Sequence, residues 1–190
     1  MKIIMRVCVN CGSSAGRSPA YLDEARELGA HLAAEGIELV YGGASVGLMG
    51  AVADAVLEAG GRAVGVIPKA LADKVVHGGL SDLRIVDTMH ERKALMFELA
   101  DAFVALPGGI GTLDELFELL TWAQLGMHSK PYALLNTAGY YDGLLQFLDH
   151  TVNQRFVRPE HRQMLLVGDT VPSVLEQLRL YEPPVVEKWL

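Results

Sequence analysis

The sequence predicts an α/β protein of three layers, with a mostly parallel sheet of about six or seven strands and helices on both faces. Two observations carry that prediction. Short apolar runs alternate along the chain with longer segments whose apolar residues recur at helical spacing, the pattern of successive strand–helix units. Two of those runs, ending at Tyr41 and Leu106, stop at a glycine-rich turn that opens directly into a helical segment.

The elements follow in order. Arg6 to Asn10 is the first strand, and Cys11-Gly12-Ser13-Ser14 is a small polar turn. A helix begins at Pro19, where a missing N–H costs nothing, and runs to about Ala34, with Gly36 closing it. Ile37 to Tyr41 is the second strand, followed by Gly42-Gly43-Ala44-Ser45-Val46-Gly47-Leu48-Met49-Gly50 and a helix to about Ala59. The spacing of these glycines differs from the dinucleotide fingerprint G-x-G-x-x-G, so no NAD site is expected. Gly50 is assigned to helix-on-strand packing. Ala63 to Ile67 is the third strand. Lys69 to Ser81, with His77-Gly78-Gly79, is expected to be an irregular mobile loop over the site. Leu83 to Val86 is the fourth strand, and Met89-His90-Glu91-Arg92-Lys93 starts a helix ending near Ala100. Ala102 to Leu106 is the fifth strand and Pro131 to Leu135 the sixth. Tyr140 to Arg155 is an amphipathic helix, Arg155 to Pro159 a polar connection, Met164 to Val167 a short last strand, and Val171 to Leu180 the last helix. The tail from Tyr181 to Leu190 is expected to wrap the surface. The glycine turns and the Arg92 helix all follow strand carboxyl ends, so they converge on the sheet edge where such Rossmann-like folds bind ligands. Without repeats or a linker, residues 1–190 are expected to form one nucleotide-binding domain.

The chain centres on Pro107-Gly108-Gly109-Ile110-Gly111-Thr112-Leu113-Asp114-Glu115. Glycines let backbone N–H groups approach an anion closely, and the helix behind them, expected from Leu113 to Leu125, adds unpaired N–H groups and a positive dipole end. That combination suits a phosphate or carboxylate. Thr112-x-x-Glu115 also fits a capping box, which would leave Glu115 a purely structural residue. The three preceding glycines, not needed for a cap, favour a functional role.

Pro-Gly-Gly-x-Gly-Thr-x-x-Glu, preceded by Met89-His90-Glu91-Arg92-Lys93, resembles the LOG family, cytokinin-activating phosphoribohydrolases long labelled lysine decarboxylases. The resemblance runs from about Arg6 to about Leu180. It implies hydrolysis of a nucleoside 5′-monophosphate to free base and ribose 5-phosphate, without a cofactor, by a homodimer. It implies Arg92 and Glu115 as catalytic residues. Gly12, Ser13, Ser14, Gly42, Gly43, Met89, Lys93, Gly108, Gly109, Ile110, Gly111, Thr112 and Thr121 become the substrate-binding residues. The role of Lys93 stays open between ligand contact and a solvated charge, and His90 is expected to be structural. Some family members carry a ligand-contacting glutamate in the loop that here reads Lys74-Val75-Val76, a departure that bears on substrate preference.

Composition narrows the alternatives. Apolar residues make up 51% of 190, charged residues 21%, and the net charge is −7, so a phosphate-tracking nucleic-acid surface is disfavoured. A mean hydropathy of +0.25 fits apolar surface buried against a second subunit. No targeting segment is evident and no run approaches the roughly 18 apolar residues of a membrane span, so a cytoplasmic protein with no membrane partner is expected. Cys8 and Cys11 form C-x-x-C without a second Cys/His pair at metal-ligand spacing, so no metal site is assigned and buried, inert thiols are expected. A decarboxylase would need pyridoxal phosphate on a lysine, with Lys93 the only candidate. A non-catalytic nucleotide sensor or carrier remains the alternative, and a mere binder would have no need of the Glu115 carboxylate.

Overall fold

The computed structural model describes residues 2–184; the end of the tail, residues 185–190, lies outside them, and with it most of the expected surface wrap. The strands are β1 (Arg6–Asn10), β2 (Glu38–Tyr41), β3 (Ala63–Pro68), β4 (Asp82–Val86), β5 (Ala102–Ala105), β6 (Tyr132–Leu135) and β7 (Leu165–Gly168). They form one seven-stranded sheet in the order β4-β3-β2-β1-β5-β6-β7. Every neighbouring pair is parallel.

Both sheet faces are covered, as a parallel sheet requires. Val7 and Val9 of β1, with Val104 of β5 and Ala133 of β6, point into a core beneath α1 (Pro19–Ala34), α2 (Gly47–Glu58) and α8 (Val171–Leu180). The alternate residues Cys8, Phe103 and Tyr132 point to the other face, beneath α4 (Met89–Leu99), α5 (Ile110–Gln124) and α6 (Asp142–Asn153). This period of two along each strand separates Cys8 from Cys11, which packs against the first core. Both thiols are free, and burial, followed by the Glu115 carboxylate, pushes both up and out of the reactive range.

The α1–α2 contact is close. A Cβ at Gly29 would lie 2.5 Å from the Val52 carbonyl oxygen. Gly29→Ala is therefore expected to lower Tm by up to about 4–8 °C in calorimetry, because overpacking of up to about 3 kcal/mol outweighs the alanine's gain of about 1 kcal/mol in helix propensity.

Three expectations need correction. Residues 69–81 are not irregular throughout: Lys69–Val75 form α3, because Lys-Ala-Leu-Ala is a favourable helical run once Pro68 has set the entry, and only 76–81 are outside a regular element. The segment after α3 is tied to the second glycine turn, with the His77 N–H donating to the Gly43 carbonyl and a bridge between Ala44 and Val76. Helix α5 starts at Ile110, with Gly109 as its N-cap, rather than at Leu113. The amphipathic segment from Tyr140 begins as α6 only at Asp142, after a 3-10 turn over Thr137–Gly139, and a short helix, α7 (Pro159–Arg162), sits where a connection was expected. Among the described residues no helix is long and apolar enough to cross a membrane.

The chain lays down β1 to β4 outward on one side, then returns to add β5 beside β1. The crevice between the carboxyl ends of β1 and β5 is the topological switch point, the place where an open α/β sheet receives its ligand.

Candidate active site

Two helices deliver the central pair from the same face of the sheet. Arg92 lies on the first turn of α4. Its Nε donates to the Val66 carbonyl at 3.1 Å, and its Nη1 donates to Glu115 Oε1 at 2.6 Å. Both side chains are largely withdrawn from solvent, at 11% and 14% exposed. A Cβ at Gly42 would collide with the guanidinium, so the second glycine turn makes room for Arg92. Gly42 and Gly43 are themselves buried, and Gly43 holds φ at +75°, a conformation that favours glycine.

Glu115 is held from its other side as well. Asn10 Nδ2 donates to Glu115 Oε2 at 2.5 Å, and the Tyr132 hydroxyl donates to Asn10 Oδ1 at 2.8 Å. Burial pushes the Tyr132 phenol well up, and the Glu115 carboxylate pushes it further, so this hydroxyl stays protonated. The chain Tyr132–Asn10–Glu115–Arg92 thus fixes both carboxylate oxygens. Asn10 and Tyr132 escape a sequence reading. The available signal is an amide ending an otherwise apolar buried strand, at the sheet edge where ligand groups collect.

The anion-binding turn is left open. α5 has no side-chain cap, and its internal ladder begins with the Leu113 N–H donating to the Gly109 carbonyl. Ile110, Gly111 and Thr112 therefore keep N–H groups that the helix does not use. Gly109, Ile110 and Gly111 are exposed, whereas Thr112 is buried, its side chain closed over Gly108. The capping-box alternative for Glu115 does not hold, since Thr112 sits inside the helix and Glu115 on its second turn. Capping of that kind occurs at α4, where Thr88 Oγ1 accepts the Glu91 N–H and Glu91 accepts the Asp87 N–H. One helix start is closed by its own side chains; the other is free for a ligand.

The remaining predicted residues separate. Gly12 joins the site: its N–H donates to the Pro107 carbonyl at 3.0 Å, and its own carbonyl accepts the Leu48 N–H. Ser13 and Ser14 are exposed on the same edge, as is Met89 at the start of α4. Lys93 is engaged with Asp114 at 3.1 Å and Glu118 at 3.0 Å. Thr121 lies farther down α5 on its exposed face, donates to the Phe117 carbonyl, and with Ile110 and Phe117 lines a surface hollow along the helix. His90 is exposed, and Trp122 packs edge-on against Phe97. Among the described residues no cluster of three or more His, Cys, Asp or Glu side chains could hold a metal ion.

Fold and site together define an α/β protein with an anion-binding helix start beside a restrained Arg–Glu pair. The family described as "Possible lysine decarboxylase" matches residues 49–178, and the chain belongs to it, the LOG family. It is 52% identical to the probable cytokinin riboside 5′-monophosphate phosphoribohydrolase LOGL9 of Oryza sativa subsp. japonica, over 94% of this chain and 79% of that protein. It is 49% identical to the cytokinin riboside 5′-monophosphate phosphoribohydrolase LOG7 of Arabidopsis thaliana, over 94% and 82%. Among solved structures it is similar to the molybdenum cofactor carrier protein of Chlamydomonas reinhardtii, with a TM-score of 0.70 over 91% of this chain and 96% of that one. At 23% identity that likeness shows the fold alone.

The decarboxylase wording of the family description does not fit these residues. A Schiff-base lysine needs its ammonium destabilised. Burial pulls Lys93 down, but its hydrogen bonds to Glu118 and Asp114 prevail and leave it above its ordinary value. Lys93 is thus a clamp between α4 and α5 rather than a Schiff-base lysine.

Proposed function

We propose that the protein hydrolyses the N-glycosidic bond of adenosine 5′-monophosphates, plain or N6-substituted, to the free base (adenine or a cytokinin) and ribose 5-phosphate. The observation that carries this reading is the Arg92–Glu115 pair, with Glu115 set five residues down the helix that starts the anion site. Five residues rise about 7.5 Å, the scale of a ribose with its 5′-phosphate. Relatives near 50% identity, named as phosphoribohydrolases, support it.

In this reading the N–H groups of Gly109 to Thr112 hold the 5′-phosphate, and the helix dipole favours its charge. That fixes the ribose over Glu115, an orientation effect worth several powers of ten. As the bond between C1′ and the base breaks, its electron pair leaves with the base and the ribose becomes oxocarbenium-like. The Glu115 carboxylate stabilises that charge and aligns a water. The water oxygen bonds to C1′, and its proton is passed on as the base takes one up. Arg92 offsets the repulsion between phosphate and carboxylate and holds Glu115 in its productive rotamer.

The protein is read as one nucleotide-binding domain over residues 1–190, cytoplasmic and without nucleic-acid or membrane partners. It is read as a homodimer, supported by the apolar side chains that α5 leaves exposed at Ile110 and Phe117. Incubation with AMP and with N6-isopentenyl-AMP should release free base and ribose 5-phosphate, detected by chromatography. The ratio of the two rates gives the preference. Tight AMP binding with no release from either nucleotide would replace this reading with a non-catalytic sensor or carrier.

A further inference from the structure

The glycine turn is held from behind by groups that the Arg92–Glu115 chemistry does not use. Three successive carbonyls, of Leu106, Pro107 and Gly108, each accept a hydrogen bond. The Tyr141 hydroxyl donates to Leu106 at 2.6 Å, the Gly12 N–H donates to Pro107 at 3.0 Å, and the Tyr140 hydroxyl donates to Gly108 at 2.6 Å. A trans peptide is planar, so its C=O and the following N–H point in opposite directions. Fixing the Pro107 carbonyl therefore fixes the Gly108 N–H, and fixing the Gly108 carbonyl fixes the Gly109 N–H. The Gly108–Gly109 peptide is flanked by glycine on both sides and has the least intrinsic resistance to turning over. Turned over, it would present a carbonyl oxygen to the anion where an N–H should stand.

The two tyrosines are themselves aimed. Ala138 and Gly139 both adopt left-handed backbone, φ 53° and 71°, an uncommon state for alanine and the kind of local cost that persists where the surroundings require it. Asn136 fixes the exit of that turn, its Oδ1 accepting the Tyr141 N–H at 2.7 Å and its Nδ2 donating to Asp142 at 2.8 Å. The Tyr140 ring is wedged edge-on between Tyr141, at 4.9 Å, and Tyr21 of α1, at 5.7 Å.

We propose that Tyr140, anchored by Tyr141, is a positioning residue that locks the Gly108–Gly109 peptide with its N–H toward the ligand and so sets affinity for the 5′-phosphate. The proposal rests on the anion site of the proposed reaction and adds the device that keeps that site in one orientation.

Tyr140→Phe tests it. The ring and its aromatic contacts stay, only the hydroxyl is lost, and the residue is 43% exposed, so folding is not at stake. Calorimetric titration with ribose 5-phosphate, and with AMP on a Glu115→Gln background that does not turn it over, is expected to show affinity about tenfold weaker for both, a factor on the scale of one well-placed hydrogen bond. In turnover, KM should rise by a similar factor while kcat at saturation stays within about twofold. A purely structural tyrosine would lower Tm and leave both KM and kcat unchanged. Unchanged affinities, or a fall in kcat with KM constant, would overturn the proposal and leave the reaction standing. Failure of the unaltered protein to bind either phosphate-bearing ligand would overturn the anion site and this inference together.

Discussion

Glu115→Gln is expected to lower kcat by about a thousandfold or more while AMP still binds with an affinity within a few-fold of the unaltered protein. The substitution changes almost no volume and removes the one charge placed to stabilise a positive ribose. Binding should survive because the phosphate is held by backbone N–H groups at the start of α5, away from Glu115. Removing a carboxylate near that phosphate also removes a repulsion. The structural cost is small and local. Glu115 accepts from Arg92 at one oxygen and from Asn10 at the other. Glutamine has one acceptor, so its amide would face the Asn10 amide donor-to-donor. The Asn10 amide can turn over, since the Tyr132 hydroxyl can accept as readily as donate. A loss of stability of about 1–3 kcal/mol bounds the case in which it does not. Single-turnover hydrolysis of AMP alongside calorimetric binding separates the two effects, and a kcat within tenfold of the original would remove Glu115 from the chemistry.

The parts of this site that can be read from sequence are those encoded by neighbours in the chain. Glycine spacing, the helix behind it and the arginine at the start of α4 are local patterns, and each falls where the strand–helix alternation puts it. Local pattern also misleads where one motif has two uses. Thr112-x-x-Glu115 matches a cap and is not one, because Ile110 to Thr112 are already helical. Thr88-x-x-Glu91 does cap its helix. His77-Gly78-Gly79 suggests a loose segment, yet His77 is buried, donates its N–H to Gly43 and bonds Asp54 of α2 at 2.9 Å. What sequence conceals entirely is contact across the sheet. Tyr132 and Asn10 meet only because β6 lies one strand from β1, with β5 between them. The two residues are 122 positions apart, and neither stands in any recognisable motif. The fate of Lys93 is settled by the same kind of contact, the packing of α4 on α5, which gives it two carboxylates.

Arg92 and Glu115 should behave as one unit, and Arg92→Lys exposes that. Lysine keeps the charge but presents a single ammonium where the guanidinium spans two fixed acceptors, Val66 and Glu115. The ammonium has three N–H groups but offers them all from one atom, so it cannot reach both acceptors from the separate positions that Nε and Nη1 occupy. The fold is expected to persist, whereas Arg92→Ala would leave a largely buried carboxylate unpaired, at a cost of about 3–5 kcal/mol. In Arg92→Lys the carboxylate is free to move by an ångström or so, a displacement that costs about a hundredfold in rate. The decisive comparison is the double variant. If the role of Arg92 is to hold and balance Glu115, then Arg92→Lys introduced into Glu115→Gln has little left to remove. kcat/KM of the double variant should then match that of Glu115→Gln within a few-fold. Two full losses that multiply would mean that the two residues act on the substrate independently, with Arg92 binding the ligand directly instead of working through the carboxylate.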